Sequence, residues 1–197
     1  MSIVRRITAI AGVIALVFVS PAFAGWKLMP AGSPVEIKEM TVTPSSDWSR
    51  AGSRPGKQGR VWTQDGFGLN AIEFFGGVPA GEPLYRERSA KHDPRPRFDS
   101  NMLAPELAEF FERSFRVQNA LTEFTVDEVK VAPFGGHQGI ALFYSYSLPN
   151  DALKRRGVAR LAVAKDRLFV ANFYAPQLHY FPSALPQIEA LMDSARF

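Results

Sequence analysis

Metal chemistry needs donor side chains that converge, and the 197-residue sequence scatters its three histidines, His92, His137 and His179, along a chain without cysteine. No His-x-x-x-His or His-Glu-x-x-His spacing occurs, so no two imidazoles are set one helical turn apart for zinc or another transition metal. His92-Asp93 is adjacent, but it stands before Pro94, Arg95, Pro96 and Arg97, where a solvated pair on a polar loop is the simpler account. Without cysteine there is no disulfide, thiol nucleophile, Cys-ligated zinc, iron–sulfur cluster or acylated leader cysteine. The expectation is no metal and no cofactor.

Nucleophilic catalysis asks for a serine, a base and a group that orients the base. Gly-x-Ser-x-Gly is absent, and Ser45, Ser46, Ser49 and Ser53 lie in a turn-rich stretch without local acid–base support. Asp127-Glu128 points to opposite faces of a strand, and Glu106 with Glu109 occupies the outer side of a helix, so neither is a proton-sharing pair. Gly135-Gly136-His137-Gln138-Gly139 is glycine-rich, yet it joins two strands and lacks the helix N-terminus that cradles phosphate. A bulged hairpin with His137 at its tip is expected there. Asp65-Gly66 reads as a structural turn and not as a catalytic acid, since Gln64 and Gly66 offer nothing to tune a carboxyl.

What remains is binding. Arg86, Arg88, Lys91, Arg95 and Arg97 crowd one stretch against Glu87, Asp93 and Asp99, a small excess suited to an anionic partner or lipid headgroups. Trp62, Tyr144, Tyr146, Tyr174 and Tyr180 carry rings of the amphipathic kind that line grooves. The leading expectation is a non-enzymatic binding or accessory domain that contacts a protein or other component of the cell envelope. Its candidate contacts are Trp62, His137, Tyr180, Arg95 and Arg97. The rival is a small-ligand carrier or hydrolase with a groove near Trp62, His137 and Tyr180.

These residues must be positioned by a mixed fold. Gly59–Thr63 and Gly68–Phe74 read as strands joined across Gln64-Asp65-Gly66-Phe67. Leu103, Leu107, Phe110, Phe111, Ser114 and Val117 recur at helical spacing, with Glu106, Glu109, Arg113 and Arg116 opposite. Strands follow over 124–131, 139–148, 158–164 and 168–175, and the last segment, 183–195, is helical through Leu185, Ile188, Leu191, Met192 and Ala195. Residues 44–60 and 76–100 are rich in turn formers and read as long surface loops. The order is that of an α+β protein, an antiparallel sheet with helices against it.

The N-terminus supplies an address. Arg5-Arg6, the apolar run Ile7–Val19 and the small residues Ala22 and Ala24 form a cleavable signal, with cleavage expected after Ala24. The run is short of the ~20 residues that span a bilayer, and no later stretch approaches that length. The expected mature form is one globular α+β domain over 25–197, located in the periplasm of a Gram-negative cell, with no transmembrane span. Of 23 basic residues 21 would remain against 19 acidic ones, a net charge of +2, which gives no reason to expect a nucleic-acid partner. With 46% apolar and 21% charged residues the composition is that of a folded domain and excludes disorder.

The run of elements from Val35 to Ala195 resembles the Mog1/PsbP-like fold, an α/β/α sandwich of about this size. Met40-Thr41-Val42-Thr43-Pro44 with Trp48, Trp62-Thr63-Gln64-Asp65-Gly66, Gly81-Glu82-Pro83-Leu84 and His179-Tyr180-Phe181 are similar to motifs of a family of exported proteobacterial proteins. The resemblance implies the fold and the compartment, and it lends no catalytic residue.

Overall fold

The computed structural model describes residues 25–89, 91 and 94–197. The proposed leader, His92 and Asp93 lie outside the described residues. The elements are β1 (Trp26–Met29), β2 (Val35–Ile37), β3 (Met40–Val42), β4 (Trp48–Ala51), β5 (Gly59–Thr63), β6 (Ala71–Pro79), α1 (Ala104–Asn119), β7 (Phe124–Phe134), β8 (His137–Ser147), β9 (Lys154–Ala164), β10 (Arg167–Pro176) and α2 (Tyr180–Asp193). Eight strands form one sheet in the order β1-β4-β5-β6-β10-β9-β8-β7, and β2 and β3 form a separate hairpin. Every pairing in the large sheet is antiparallel.

Alternation along β6 and β10 sorts the core into two halves. Ile72, Phe74, Ala171 and Phe173 face one side with Trp48, Trp62, Ile188 and Leu191. Phe75, Leu168 and Val170 face the other with Leu84, Tyr85, Phe98, Phe111 and Phe115. Thus α2 and the β2–β3 hairpin cover one face, and α1 with the 80–102 segment covers the other. The hairpin sits close: a Cβ on Gly76 would lie 1.8 Å from the carbonyl oxygen of Ile37, so only glycine admits this contact.

Helix α1 starts where Pro105 and Glu106 place it. Glu106 Oε2 accepts the backbone N–H of Leu103 at 2.7 Å, which satisfies one donor that the helix end leaves open. Its buried stripe is Leu107, Ala108, Phe110, Phe111, Ser114 and Phe115. Leu103 and Val117, expected on that stripe, are instead 69% and 42% exposed, because Leu103 precedes the first turn and Val117 stands at the margin of the stripe.

Other boundaries also shift. The 44–60 stretch contains β4, and Gly76-Gly77 continues β6 to Pro79. Both lack long apolar runs, so pairing with a neighbouring strand, and not local pattern, makes them strands. The turn between β5 and β6 is longer than expected, because β6 begins at Ala71. Asn70 organises it: its Oδ1 accepts Thr63 Oγ1 at 2.8 Å and the backbone N–H of Gln64 at 3.0 Å, while its Nδ2 donates to Asp65 Oδ2 at 2.6 Å. Helix α2 begins three residues early, at Tyr180. Among the described residues no helix is long and apolar enough to cross a membrane.

Candidate functional site

The centre of the α1 face holds a carboxyl in an aromatic shell. Glu73 on β6 stands directly opposite Asn172 on β10, and only 6% of its surface is exposed. Its Oε2 accepts the Tyr85 hydroxyl at 2.7 Å and Asn172 Nδ2 at 3.1 Å. The Oδ1 of Asn172 in turn accepts the Tyr144 hydroxyl at 2.6 Å. Burial pushes the Glu73 carboxyl up to about 7, against the opposing effect of its two hydrogen-bond donors. Burial likewise raises Tyr85, Tyr144 and Tyr174, and the nearby Glu73 charge adds to the rise in each. Phe115 of α1 closes the shell, with ring centroids 5.3 Å from both Tyr144 and Tyr146. Gly157 makes room on β9, since a Cβ there would meet the Tyr144 ring at 2.1 Å. The polar atoms of this network are directed at one another, so it braces sheet and segment 80–102 beneath α1 and does not present a reactive group.

The outer surface of the same layer is open. Segment 80–102 is clamped at its neck, where Gly81 N–H donates to Phe98 O at 2.8 Å and Phe98 N–H to Glu82 O at 3.0 Å, and Leu84, Tyr85 and Phe98 anchor it in the core. Around it lie three clefts of about 490, 450 and 530 Å³. Arg97 is common to the first and third, and Pro96 and Arg113 to the first and second, so they adjoin along one groove. Several of its charges are paired: Lys57–Glu82 at 2.9 Å, Arg97–Glu87 at 2.5 Å and Arg116–Glu112 at 3.1 Å. On the other side of α1, an apolar trough of about 390 Å³ runs between the helix and edge strand β7, lined by Ala104, Ala108, Val126, Val129, Val131 and Ile140. Val131 is 71% exposed.

The residues singled out from sequence do not converge. Trp62 is fully buried on the α2 face and lines no groove. Its cross-strand row runs through Ile72, Phe173 and Val158 to Phe143 on β8. His137 lies on that strand four strands over and six residues further along, about 20 Å by strand rise alone. Nor is His137 at a tip: Gly135-Gly136 forms the turn, and the imidazole stacks on Phe197 at 5.3 Å with its Nε2 3.3 Å from the Phe197 carbonyl oxygen. Tyr180 packs on the α2-side core as the first residue of that helix. Trp62 and His137 therefore share no groove, because register sets them four strands apart, and Trp62, though in the core cluster against which Tyr180 packs, has no exposed surface to line one. Arg95 and Arg97 do share one place, the groove beside α1. Glu73, Asn70 and Asn172 were passed over; the available signal was a lone acid or amide in an otherwise apolar strand or at its mouth. Among the described residues no three His, Asp or Glu side chains gather in a way that could hold a metal ion.

No family model and no characterised protein sequence matches the chain. Solved structures do. The cyanobacterial PsbP protein of Synechocystis superposes with a TM-score of 0.55 at 9% identity, over 94% of this chain and 97% of that one. The Ran-binding protein Mog1p of Saccharomyces cerevisiae superposes with a TM-score of 0.53 at 11% identity, over 85% of this chain and 96% of that one. A sheet of antiparallel strands between helical layers, matched over nearly the full length of both proteins, is the Mog1/PsbP-like α+β fold, and this chain has it.

Proposed function

We propose that this protein is a non-enzymatic accessory domain of the cell envelope, exported by residues 1–24 and folded as one domain over 25–197, that binds a partner protein through the surface around α1. The observation that carries the reading is the juxtaposition on that surface of the apolar trough along β7 with the charge-paired groove along segment 80–102. An apolar centre beside a polar margin is the anatomy of a protein interface, whereas a small-ligand site encloses its ligand in one concave pocket. Mog1p, which shares the fold, is a Ran-binding protein, which supports a protein-binding role without naming this chain's partner. Arg97 and Arg113 give the groove its cations, and Val129 and Val131 give the trough its exposed apolar surface.

The test is affinity capture from an envelope extract, with the native chain and its Val131→Glu variant as paired baits. Val131 is exposed, so the variant keeps the fold and the same melting temperature. The expected result is a protein captured by the native chain and lost with the variant. Equal capture by both baits would remove the α1 surface from the reading.

A further inference from the structure

A second surface, on the opposite face and at the opposite edge of the sheet, is charged in a different way. Lys27 on edge strand β1 stands directly across from Arg50 on β4, and Arg50 directly across from Trp62 on β5. Alternation then puts Arg60, two residues before Trp62, on the same face. Arg54 comes from the connection between β4 and β5. Like charges placed opposite one another across strands weaken a sheet, and natural folds usually relieve them with an acid. Here, among the described residues, none of the four cations has a carboxylate within ion-pair distance. Burial, then the charge of Arg54, then that of Arg50, lower the affinity of the Arg60 guanidinium for its proton.

The other flank of the same edge is apolar and exposed. Trp26 and Leu28, which alternate with Lys27 on β1, are 50% and 59% exposed, and Phe67 is 42% exposed. The Trp26 and Phe67 rings stack with centroids 5.3 Å apart. An aromatic pair at a rim is what the headgroup region of a bilayer accommodates, and an unneutralised row of cations is what anionic headgroups complement.

We propose that the β1 edge docks on an anionic phospholipid surface, with Lys27, Arg50, Arg54 and Arg60 against headgroup phosphates and Trp26, Leu28 and Phe67 in the interfacial layer. This site is separate from the α1 surface, so a bilayer and a protein partner can be held together.

Co-sedimentation with vesicles of phosphatidylcholine, alone or with one third phosphatidylglycerol, tests the inference on the full chain. The readout is the preference for anionic over neutral vesicles, which cancels apolar binding common to both, including any by the leader. Arg50→Gln/Arg60→Gln should reduce that preference about 25-fold, at roughly fivefold per cation removed. Trp26→Ser/Phe67→Ser should weaken binding to the anionic vesicles, and Arg86→Gln/Arg88→Gln on the α1 side should change nothing. An unchanged preference in the Arg50/Arg60 variant, with a melting temperature at or above that of the native chain, overturns the proposal. So does an equal loss in the Arg86/Arg88 variant. If inorganic phosphate abolishes the preference at constant ionic strength, the cations hold a soluble anion and the bilayer reading falls. Capture of a protein partner through Val131 is a different measurement, so either reading can fail alone.

Discussion

Two regions of the sheet, the centre of the α1 face and the β1 edge, treat their polar groups differently. Around α1, Glu73 has Tyr85 and Asn172, Arg97 has Glu87, and Arg116 has Glu112. On the α2 face, toward the β1 edge, Lys27, Arg50 and Arg60 share a surface without an acid. Even the Trp62 indole N–H has no hydrogen-bond partner among the described residues. A compensated polar group is explained by the fold that contains it. An uncompensated cluster costs the fold stability without a return inside it, which is the ground for the docking proposed at the β1 edge. The difference separates the buried Glu73 network, which the fold itself explains, from the cations of the β1 edge, which lie on three separate strands and are brought together only by the sheet.

The contrast can be broken most sharply at Asn172. Asn172→Leu keeps the branched shape but strips a donor from Glu73 and an acceptor from Tyr144, both buried, and should cost about 4 kcal/mol in urea unfolding. A loss below about 1 kcal/mol would mean that the network is not what braces the α1 face.

Next in size is a pH effect. The Glu73 carboxyl is raised to about 7 in the folded state from an ordinary 4.5, so between those values the folded chain holds a proton that the unfolded chain has released. Its contribution is therefore fully present below pH 4.5, is lost as pH rises toward 7, and stays lost above. The span is about 3 kcal/mol. Unfolding measured across that window should show the decline in the native chain and a flat segment from this group in Glu73→Gln.

Gly157→Ala probes the packing around the network. The new methyl would push on the Tyr144 ring and cost about 2 kcal/mol. A melt within error of the native chain would show that the aromatic shell is loose.

The smallest effects have opposite signs. Arg97→Gln removes a partly exposed ion pair and should lower stability by about 0.5 kcal/mol. Arg60→Gln relieves repulsion and should raise it by about 0.5 kcal/mol at low ionic strength. Denaturant midpoints of the two variants, with and without added salt, decide the matter. Salt should shrink both shifts.

Much of this protein can be read from local pattern along the chain. The apolar stripe of α1 through Leu107, Phe110, Phe111 and Ser114 was legible because helical spacing is local, and so was the alternation Ile140, Leu142, Tyr144, Tyr146 on β8. These periods predicted an α+β sheet with helices against it. The cations of segment 86–97 were visible for the same reason, since they are neighbours along the chain. Which residues meet across strands is fixed by the assembled sheet alone. Glu73 and Asn172 are 99 residues apart in sequence, and Lys27, Arg50 and Arg60 belong to three strands. Trp62 and His137, candidates for one groove, stand four strands apart. Register is set by the pairing of whole strands and their turns, and a one-residue slip would move each of these side chains to the other face. No local pattern contains that information, so the buried carboxyl and the unpaired cations come into view only when the sheet is assembled.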